Sequence, residues 1–465
     1  MTIINVSKEK ERARSTLSKY RPAGLMELWV IAWPLIIASL SGHVMVFVDR
    51  TFLAHHSLNS MNAAAAAGMA WWIFSFCAIS IAGIAEVFVG QHNGAGRFEK
   101  VAEPVWQMIL FSCATLLVFW PLAMWGGSYM MPQALYEEGV GYFTIMMLAG
   151  PLQPIFVAIA AFFTGIGRTK IITIASVLAN LANLLLDYAL IFGYPGLLAP
   201  LGATGAAIAT ATALFIQATI VFIVFLDRGN RLKYQTHKPR FVYSSMLKCI
   251  RVGYPNALGH MMEMLSWFVL FYSMANLGIE HVTILTLGQT IYILFAFLFD
   301  GIQKGVTAIA ANLIGAGHSY LFNKLLYSAL KMHAVIIGIL CIPLVFYPDF
   351  ILGLFALTQH LDVTETAIGH DGYMTCYFVW FYCVFDGFLW IVAGMLTALT
   401  DTLFIMLANS ISAALIGVLP IYVLLTYYNA PAYIIWGCLD VYAMVALIAL
   451  LLRYMKMMRQ IPSSN

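Results

Sequence analysis

About twelve runs of apolar residues, separated by short polar breaks, extend along the 465-residue chain. A helical crossing of a bilayer core needs about 20 such residues, so each run is long enough to span a membrane. Alternation over ten residues, typical of transmembrane β-strands, is absent from the sequence. The predicted spans are residues 28–48, 65–90, 105–125, 143–164, 171–192, 203–226, 255–277, 282–314, 325–347, 373–399, 403–427 and 432–452.

Composition supports a membrane protein. The chain is 62% hydrophobic and 10% charged, whereas about 25% of the residues in soluble domains are charged. Residues 1–24 lack the apolar core and cleavage site of a signal peptide, so they are predicted to be a retained tail. The predicted fold class is therefore an all-α, multi-pass membrane protein.

The positive charges lie on one side of this topology. Apart from Arg50 and Lys304, the 24 Lys and Arg fall in the terminal tails, after even-numbered spans, or between spans six and seven. The positive-inside rule then places both termini in the cytoplasm. The expected location is the plasma (inner) membrane. The net charge of +3 follows from this topology and gives no case for nucleic-acid binding.

An internal repeat organises the spans. Pro34 precedes a Gly-Ala-Gly sequence that begins at Gly94, and Pro255 precedes a second one that begins at Gly315. The number of residues between proline and motif is the same in both cases, so a single offset in residue number relates the two pairs. A looser pair, "TGIGRTK" and "LTALTDT", follows spans four and ten. Because six spans is an even number, the halves are predicted to be parallel repeats. The expected organisation is a tail at 1–24, an N-lobe at 25–226, a linker at 227–252, a C-lobe at 253–455 and a tail at 456–465.

The Gly-Ala-Gly sequences have a simple structural interpretation. Glycine after a helix supplies a left-handed cap, and glycine within it lets two backbones approach closely. Each motif is predicted to be a tight helix end, which is compatible with a further role as a hinge.

Acidic residues inside apolar spans are the leading functional candidates, because an unpaired charge costs several kcal/mol in a bilayer. Seven are present: Asp49, Glu86, Asp187, Glu263, Asp300, Asp386 and Asp440.

In the first half, Asp49 and Asp187 are predicted to meet in the outer part of the membrane, since spans one and five run in the same direction. Asn183 lies one helical turn before Asp187 and shares its face, and Asn180 extends the polar stripe by another turn. These oxygen ligands suit Na⁺ or a shared proton.

In the second half, Glu263 and Asp386 are both predicted near the membrane midplane. Tyr382 lies one turn from Asp386 and offers a hydroxyl or an aromatic face. Asp300 and Lys304 are four residues apart and are expected to neutralise each other within span eight.

The chain resembles the multidrug and toxic compound extrusion (MATE) family. The resemblance covers nearly the whole chain, through "WPLIIASLSGHVMVFVDRTFLA", "GQHNGAG", "LANLLLDYALIFG", "GATGAAIAT", "GYPNALGHMMEM", "ANLIGAG" and "YCVFDGFLWIVAG". It implies twelve helices in two six-helix lobes around a central cavity, and export of organic cations in exchange for Na⁺ or H⁺.

The resemblance also implies site residues. Asp49, Asn183 and Asp187 match an ion site in the N-lobe of one branch of the family. Glu263, Tyr382 and Asp386 match positions that other members use in the C-lobe. Arg50 departs from the threonine often found after the first aspartate, which puts substrate range in question.

Two other functions stay open at this point. A flippase for lipid-linked precursors, from the same wider superfamily, requires a cationic cavity for pyrophosphate. A membrane-embedded enzyme requires a nucleophile or a His and acid pair at one membrane face, and none is recognisable. The expected protein is a non-enzymatic, monomeric transporter without a cofactor, whose partners are organic cations, membrane lipid and the coupling ion.

Overall fold

The structure, a computed structural model, describes residues 17–193, 199–359 and 368–460. Residues 1–16 of the predicted N-terminal tail and 461–465 of the C-terminal tail lie outside this part. The described chain is helical and contains no β-strand. The predicted all-α architecture is therefore confirmed.

Twelve long helices, here α1 to α12, correspond to the twelve predicted spans. Eleven are long and apolar enough to cross a membrane. The other, α7, is less apolar and contains His260, Glu263 and Asn276 in its membrane-spanning part. Helices suit this environment because they satisfy their own backbone hydrogen bonds without water. The bounds are α1 Leu25–His56, α2 Leu58–Gly94, α3 Phe98–Met130, α4 Gln133–Gly165, α5 Lys170–Phe192, α6 Gly202–Phe225, α7 Tyr243–Leu277, α8 Ile279–Gly315, α9 Ser319–Phe346, α10 Ile368–Ala398, α11 Thr402–Tyr428 and α12 Ile434–Gln460.

The described residues form two compact units. The first contains residues 17–19, 30–257 and 308–318, and the second contains residues 20–29, 258–307 and 319–460. The lobe boundaries expected from the sequence stay a prediction.

Aromatic residues of α4 and α6 form the core of the first unit. Phe162 is fully buried and meets Phe163, Phe225 and Tyr234 edge to face, with ring centroids 4.9 to 5.3 Å apart. In the second unit α10 packs against α12, where Trp436 is fully buried beside Tyr382. Each unit thus has its own hydrophobic core.

Both Gly-Ala-Gly sequences end their helices in the same way. Gly96 and Gly317, which occupy equivalent positions in the two repeats, have φ angles of +70° and +74°. The next amide closes the cap in each case: Arg97 N–H donates to the His92 carbonyl at 2.9 Å, and His318 N–H to the Leu313 carbonyl at 2.8 Å. These are the left-handed caps that the sequence predicted.

The looser pair of motifs has the same geometry. Gly167 and Thr400 have φ angles of +76° and +63°. Arg168 N–H donates to the Phe163 carbonyl at 2.7 Å, and Asp401 N–H to the Leu396 carbonyl at 3.0 Å. The pairing of "TGIGRTK" with "LTALTDT" is thus supported by structure. Thr400 occupies a position that disfavours β-branched residues.

The first glycine of each motif provides the close backbone approach. Within the first unit, a Cβ atom on Gly94 would overlap the backbone oxygen of Asn312, and one on Gly315 would overlap that of Gln91. Asn312 is the counterpart of Gln91 in the second repeat, so the ends of α2 and α8 meet in a reciprocal contact. Asn93 Nδ2 donates to Asn312 Oδ1 at 2.8 Å, which fixes the register of this contact.

A further irregularity occurs in both halves. The helix widens to a π-type turn at Leu122–Gly126 in α3 and at Ile342–Phe346 in α9. Pro121 precedes the first of these turns and Pro343 lies in the second. Proline removes a helical hydrogen bond, which accounts for a local change of pitch at these positions.

Candidate functional site

Three helices of the first unit bring polar side chains to one place. Asp49 comes from α1, and Asn183 and Asp187 lie one turn apart on α5, where both are buried. Thr210 of α6, also buried, donates its hydroxyl hydrogen to Asp49 Oδ2 at 3.3 Å. The i, i+4 spacing on α5 explains why Asn183 and Asp187 face the same side.

The carboxyl groups of Asp49 and Asp187 are close enough to interact electrostatically, and the Asn183 amide lies near the Asp187 carboxyl. Two carboxylates cannot donate to each other, and four buried atoms of this cluster have no hydrogen-bond partner among the described residues. These atoms are Asp49 Oδ1, Asp187 Oδ1, Asp187 Oδ2 and Asn183 Nδ2. Adjacent buried carboxylates repel each other unless a proton or a cation lies between them. Among the described residues, neither of these carboxylates forms an ion pair.

Two polar neighbours from the sequence prediction lie near this cluster without completing it. Arg50 is exposed, and within the described chain no ion pair joins it to Asp49. Asn180 donates through its side-chain amide to the Ser41 hydroxyl of α1. Asn180 thus helps to hold α5 against α1.

The second unit contains a different arrangement around Asp386. Tyr292 of α8 donates its hydroxyl hydrogen to Asp386 Oδ2 at 2.7 Å, and Asp386 is 4% exposed. Tyr382 packs edge-on against Tyr292, with centroids 5.1 Å apart, and against Trp436 at 5.8 Å. The hydroxyl bound to Asp386 therefore comes from Tyr292, while Tyr382 contributes packing.

Other predicted polar residues of the second unit have local partners. Glu263 is 52% exposed, and its Oε2 lies 3.3 Å from His260 Nδ1. Lys304 Nζ lies 2.7 Å from Asp300 Oδ2, which is the expected i, i+4 pair. Within the described residues, no group of three or more His, Cys, Asp or Glu side chains is arranged to hold a metal ion. Carboxylate and amide oxygens of the first cluster fit a hard monovalent cation better than a transition metal.

Sequence reasoning missed Thr210 and Tyr292, which donate to the acids of these sites, and it did not link His260 to Glu263. Hydroxyl residues such as Thr210 and Tyr292 are common in apolar spans, so neither carried a signal that linked it to an acid on a distant helix. His260 did carry one, because it lies three residues from Glu263 and three-residue spacing places both on one helix face.

The fold and these clusters define a class: polytopic helical membrane proteins built from two parallel repeats with acids inside their spans. The chain belongs to the MatE family, whose model matches residues 34–189 and 255–423. The two matched segments begin at Pro34 and Pro255, the same pair of prolines that marks the internal repeat in the sequence. Their offset agrees with that between the two helix caps.

Known proteins extend this comparison. The chain is 26% identical over 302 residues to a probable multidrug resistance protein NorM of Photorhabdus laumondii; the match covers 63% of this chain and 65% of that protein. A MATE crystal structure in the straight conformation superposes with a TM-score of 0.83 at 16% identity, over 94% of this chain and 97% of that one. A MOP superfamily transporter from Pyrococcus furiosus, described as having a binding pocket of reverse polarity, gives 0.79 at 17% identity over 93% and 96%. These structures share the fold.

Proposed function

We propose that this protein is a secondary active antiporter that exports organic cations or drug-like compounds in exchange for Na⁺ or H⁺. The observation that carries the proposal is the pair of adjacent carboxylates, Asp49 and Asp187, with buried oxygens that lack a partner among the described residues. A site that requires a cation to be complete is suited to coupling. The protein acts as a monomer in the plasma membrane, with both termini in the cytoplasm.

Coupling follows from charge balance in this cluster. Na⁺ between Asp49, Asn183 and Asp187, or a proton between the two carboxyls, removes the repulsion between the two carboxylates. The ion shifts the transporter between its inward-open and outward-open states to the extent that it binds one of them more tightly. The two lobes then alternate in exposing the substrate to either side of the membrane.

The substrate surface is proposed to include the methionine-rich part of α7. Met261, Met262 and Met264 are exposed around Glu263 in this helix, and Phe268 follows one turn later. Methionine side chains are flexible and polarizable, so they adapt to varied apolar ligands. Glu263 supplies a negative charge for the cationic group of the substrate.

The alternative functions receive less support. A flippase for pyrophosphate-linked lipids requires cations within its cavity, whereas of the 24 Lys and Arg only Arg50 and Lys304 fall outside the predicted cytoplasmic side, and Lys304 is paired with Asp300. Among the described residues, the buried charged side chains are Glu27, Asp187, Asp386 and Asp440. The relative from Photorhabdus laumondii is named as a multidrug resistance protein and the structural neighbour from Pyrococcus furiosus as a transporter, which also disfavours an enzyme.

The test is efflux of a fluorescent organic cation from proteoliposomes under an imposed Na⁺ gradient or, separately, an imposed pH gradient. We expect one gradient to drive efflux by the unmodified protein. Asp49→Asn and Asp187→Asn are each expected to abolish it, whereas Glu99→Gln, which changes an exposed acid, is expected to have no effect. Unchanged rates in both aspartate variants would refute the coupling site. Failure of both gradients to drive any organic cation would refute the antiporter.

A further inference from the structure

The connection between α6 and α7, together with the first turns of α7, carries a strong and uneven charge. Between residues 227 and 251 it has one acid, Asp227, and seven cations: Arg228, Arg231, Lys233, Lys238, Arg240, Lys248 and Arg251. We propose that this segment is a binding surface for the headgroups of anionic phospholipids. Clusters of four to eight cations next to a membrane span have this preference in general.

The segment is held in place by α3. Gln107 is fully buried; its Nε2 donates to the Arg240 carbonyl at 2.7 Å, and its Oε1 accepts from the Val242 amide at 3.0 Å. Trp106 Nε1 donates to the Thr236 carbonyl at 3.0 Å. The side chains of the segment thus project from a fixed backbone, which lowers the entropy lost when they bind a ligand.

The charges of the segment are not neutralised by the protein. All seven cationic side chains are exposed, and none forms an ion pair within the described chain. Three of them make local contacts: Arg231 donates to the Leu226 carbonyl, Lys233 lies 4.5 Å from the ring centre of Phe98, and Lys238 Nζ donates to Gln235 Oε1 at 3.2 Å. Because the Gln235 amide is neutral, the Lys238 charge stays available to anions. The others are available to anions in the surrounding medium.

The location and the apolar residues of the segment identify the anion as a lipid. Because α6 and α7 both enter the membrane, the short connection between them lies at the bilayer surface. Leu232, Phe241, Tyr243 and Leu247 are exposed among the cations, with exposures of 78, 64, 69 and 50%. Aromatic and aliphatic side chains interleaved with Lys and Arg are typical of protein surfaces that lie in the headgroup region.

The test uses Lys238→Gln/Arg240→Gln in the full-length protein. These side chains are exposed, and the contacts to Gln107 and Trp106 involve the backbone of the segment, so folding is expected to be preserved. Lys456→Gln/Arg459→Gln, at the end of α12, removes two exposed charges elsewhere and is the matched control. Lys238→Arg/Arg240→Lys retains the charges. Binding of phosphatidylglycerol and phosphatidylethanolamine to delipidated protein is measured by native mass spectrometry.

We expect the linker variant to bind phosphatidylglycerol about thirtyfold more weakly, since each cation near an anionic surface contributes about 1 kcal/mol. The control and the charge-retaining variant are expected to bind as the unmodified protein does, and phosphatidylethanolamine binding is expected to be unchanged in all of them. Equal losses in the linker variant and the control would show diffuse attraction by net charge and overturn the proposal. Unchanged binding in the linker variant would overturn it too.

Discussion

The acidic clusters of the two units differ in how far the protein satisfies them. In the first unit, the carboxyls of Asp49 and Asp187 face each other, and three of their four oxygens lack a partner among the described residues. In the second unit, Asp386 accepts a hydrogen bond from Tyr292, and Glu263 lies next to His260. The first cluster thus leaves carboxylate oxygens without a partner among the described residues, whereas in the second Asp386 has a hydrogen-bond donor within the protein.

This difference arose within a duplicated architecture. By the offset that relates the two repeats, the counterpart of Asp49 is Leu270, which is buried, and the counterpart of Glu263 is Gly42. The acids therefore have no acidic counterparts, although the caps at Gly96 and Gly317 and the π-type turns recur. Features that hold helices together are shared by the halves, while the features that carry chemistry are not.

The largest expected effect separates the two clusters directly. Asp187→Asn removes one of the two carboxylates proposed to bind the coupling ion, and we expect ion-driven efflux to fall by about 100-fold, because loss of a charged ligand to a buried cation costs roughly 2–5 kcal/mol. Asp386→Asn keeps an oxygen that can accept a hydrogen bond from Tyr292, so this variant is expected to lose tenfold or less of the ion-driven efflux rate. Initial efflux rates from proteoliposomes measure both. Equal losses would mean that the clusters contribute alike.

The next prediction concerns the shared architecture. Gly94→Ala places a methyl group against the backbone of Asn312, which cannot move as a flexible side chain does, and we expect a destabilisation of about 2–3 kcal/mol. Gly338→Ala in α9 is the control, since a Cβ atom there would meet nothing within 4 Å. Thermal unfolding in detergent measures both variants. Equal unfolding temperatures for the two would contradict the close contact between α2 and α8.

Much of this architecture follows from the sequence. Length and apolarity predict the helices, and the repeated Gly-Ala-Gly predicts the caps, because these depend on local backbone preferences. The proximity of Asp49 to Asp187 was predictable, because the two residues lie at similar depths on two helices that run in the same direction.

The remaining contacts depend on packing between distant parts of the chain. The bond from Tyr292 to Asp386 and the seating of Gly94 against Asn312 depend on how α8 is rotated and placed, and no local pattern reports that rotation. The chain contains 23 tyrosines, so residue type alone did not single out Tyr292.

A prediction of intermediate size tests the balanced cluster. Tyr292→Phe leaves the buried Asp386 without its 2.7 Å donor, and we expect a destabilisation of about 1–3 kcal/mol. Tyr382→Phe keeps both the ring contact and the bond from Tyr292, so its unfolding temperature is expected to lie closer to that of the unmodified protein. The reverse order of the two unfolding temperatures would show that Tyr382 is the residue that stabilises Asp386.

The smallest effect concerns the one cap pair whose residues differ between the halves. Thr400 has a φ of +63° where its counterpart Gly167 has +76°. A left-handed conformation costs a residue with a Cβ atom about 1–2 kcal/mol, while the greater freedom of glycine in the unfolded chain offsets roughly 0.5–1 kcal/mol. Thr400→Gly is therefore expected to stabilise the protein by about 0.5 kcal/mol and to raise its unfolding temperature slightly. Thr400→Ala removes the exposed side chain but keeps the Cβ atom, so it should give no such gain. An equal gain in stability in Thr400→Ala would show that the effect comes from the threonine side chain and not from the backbone conformation.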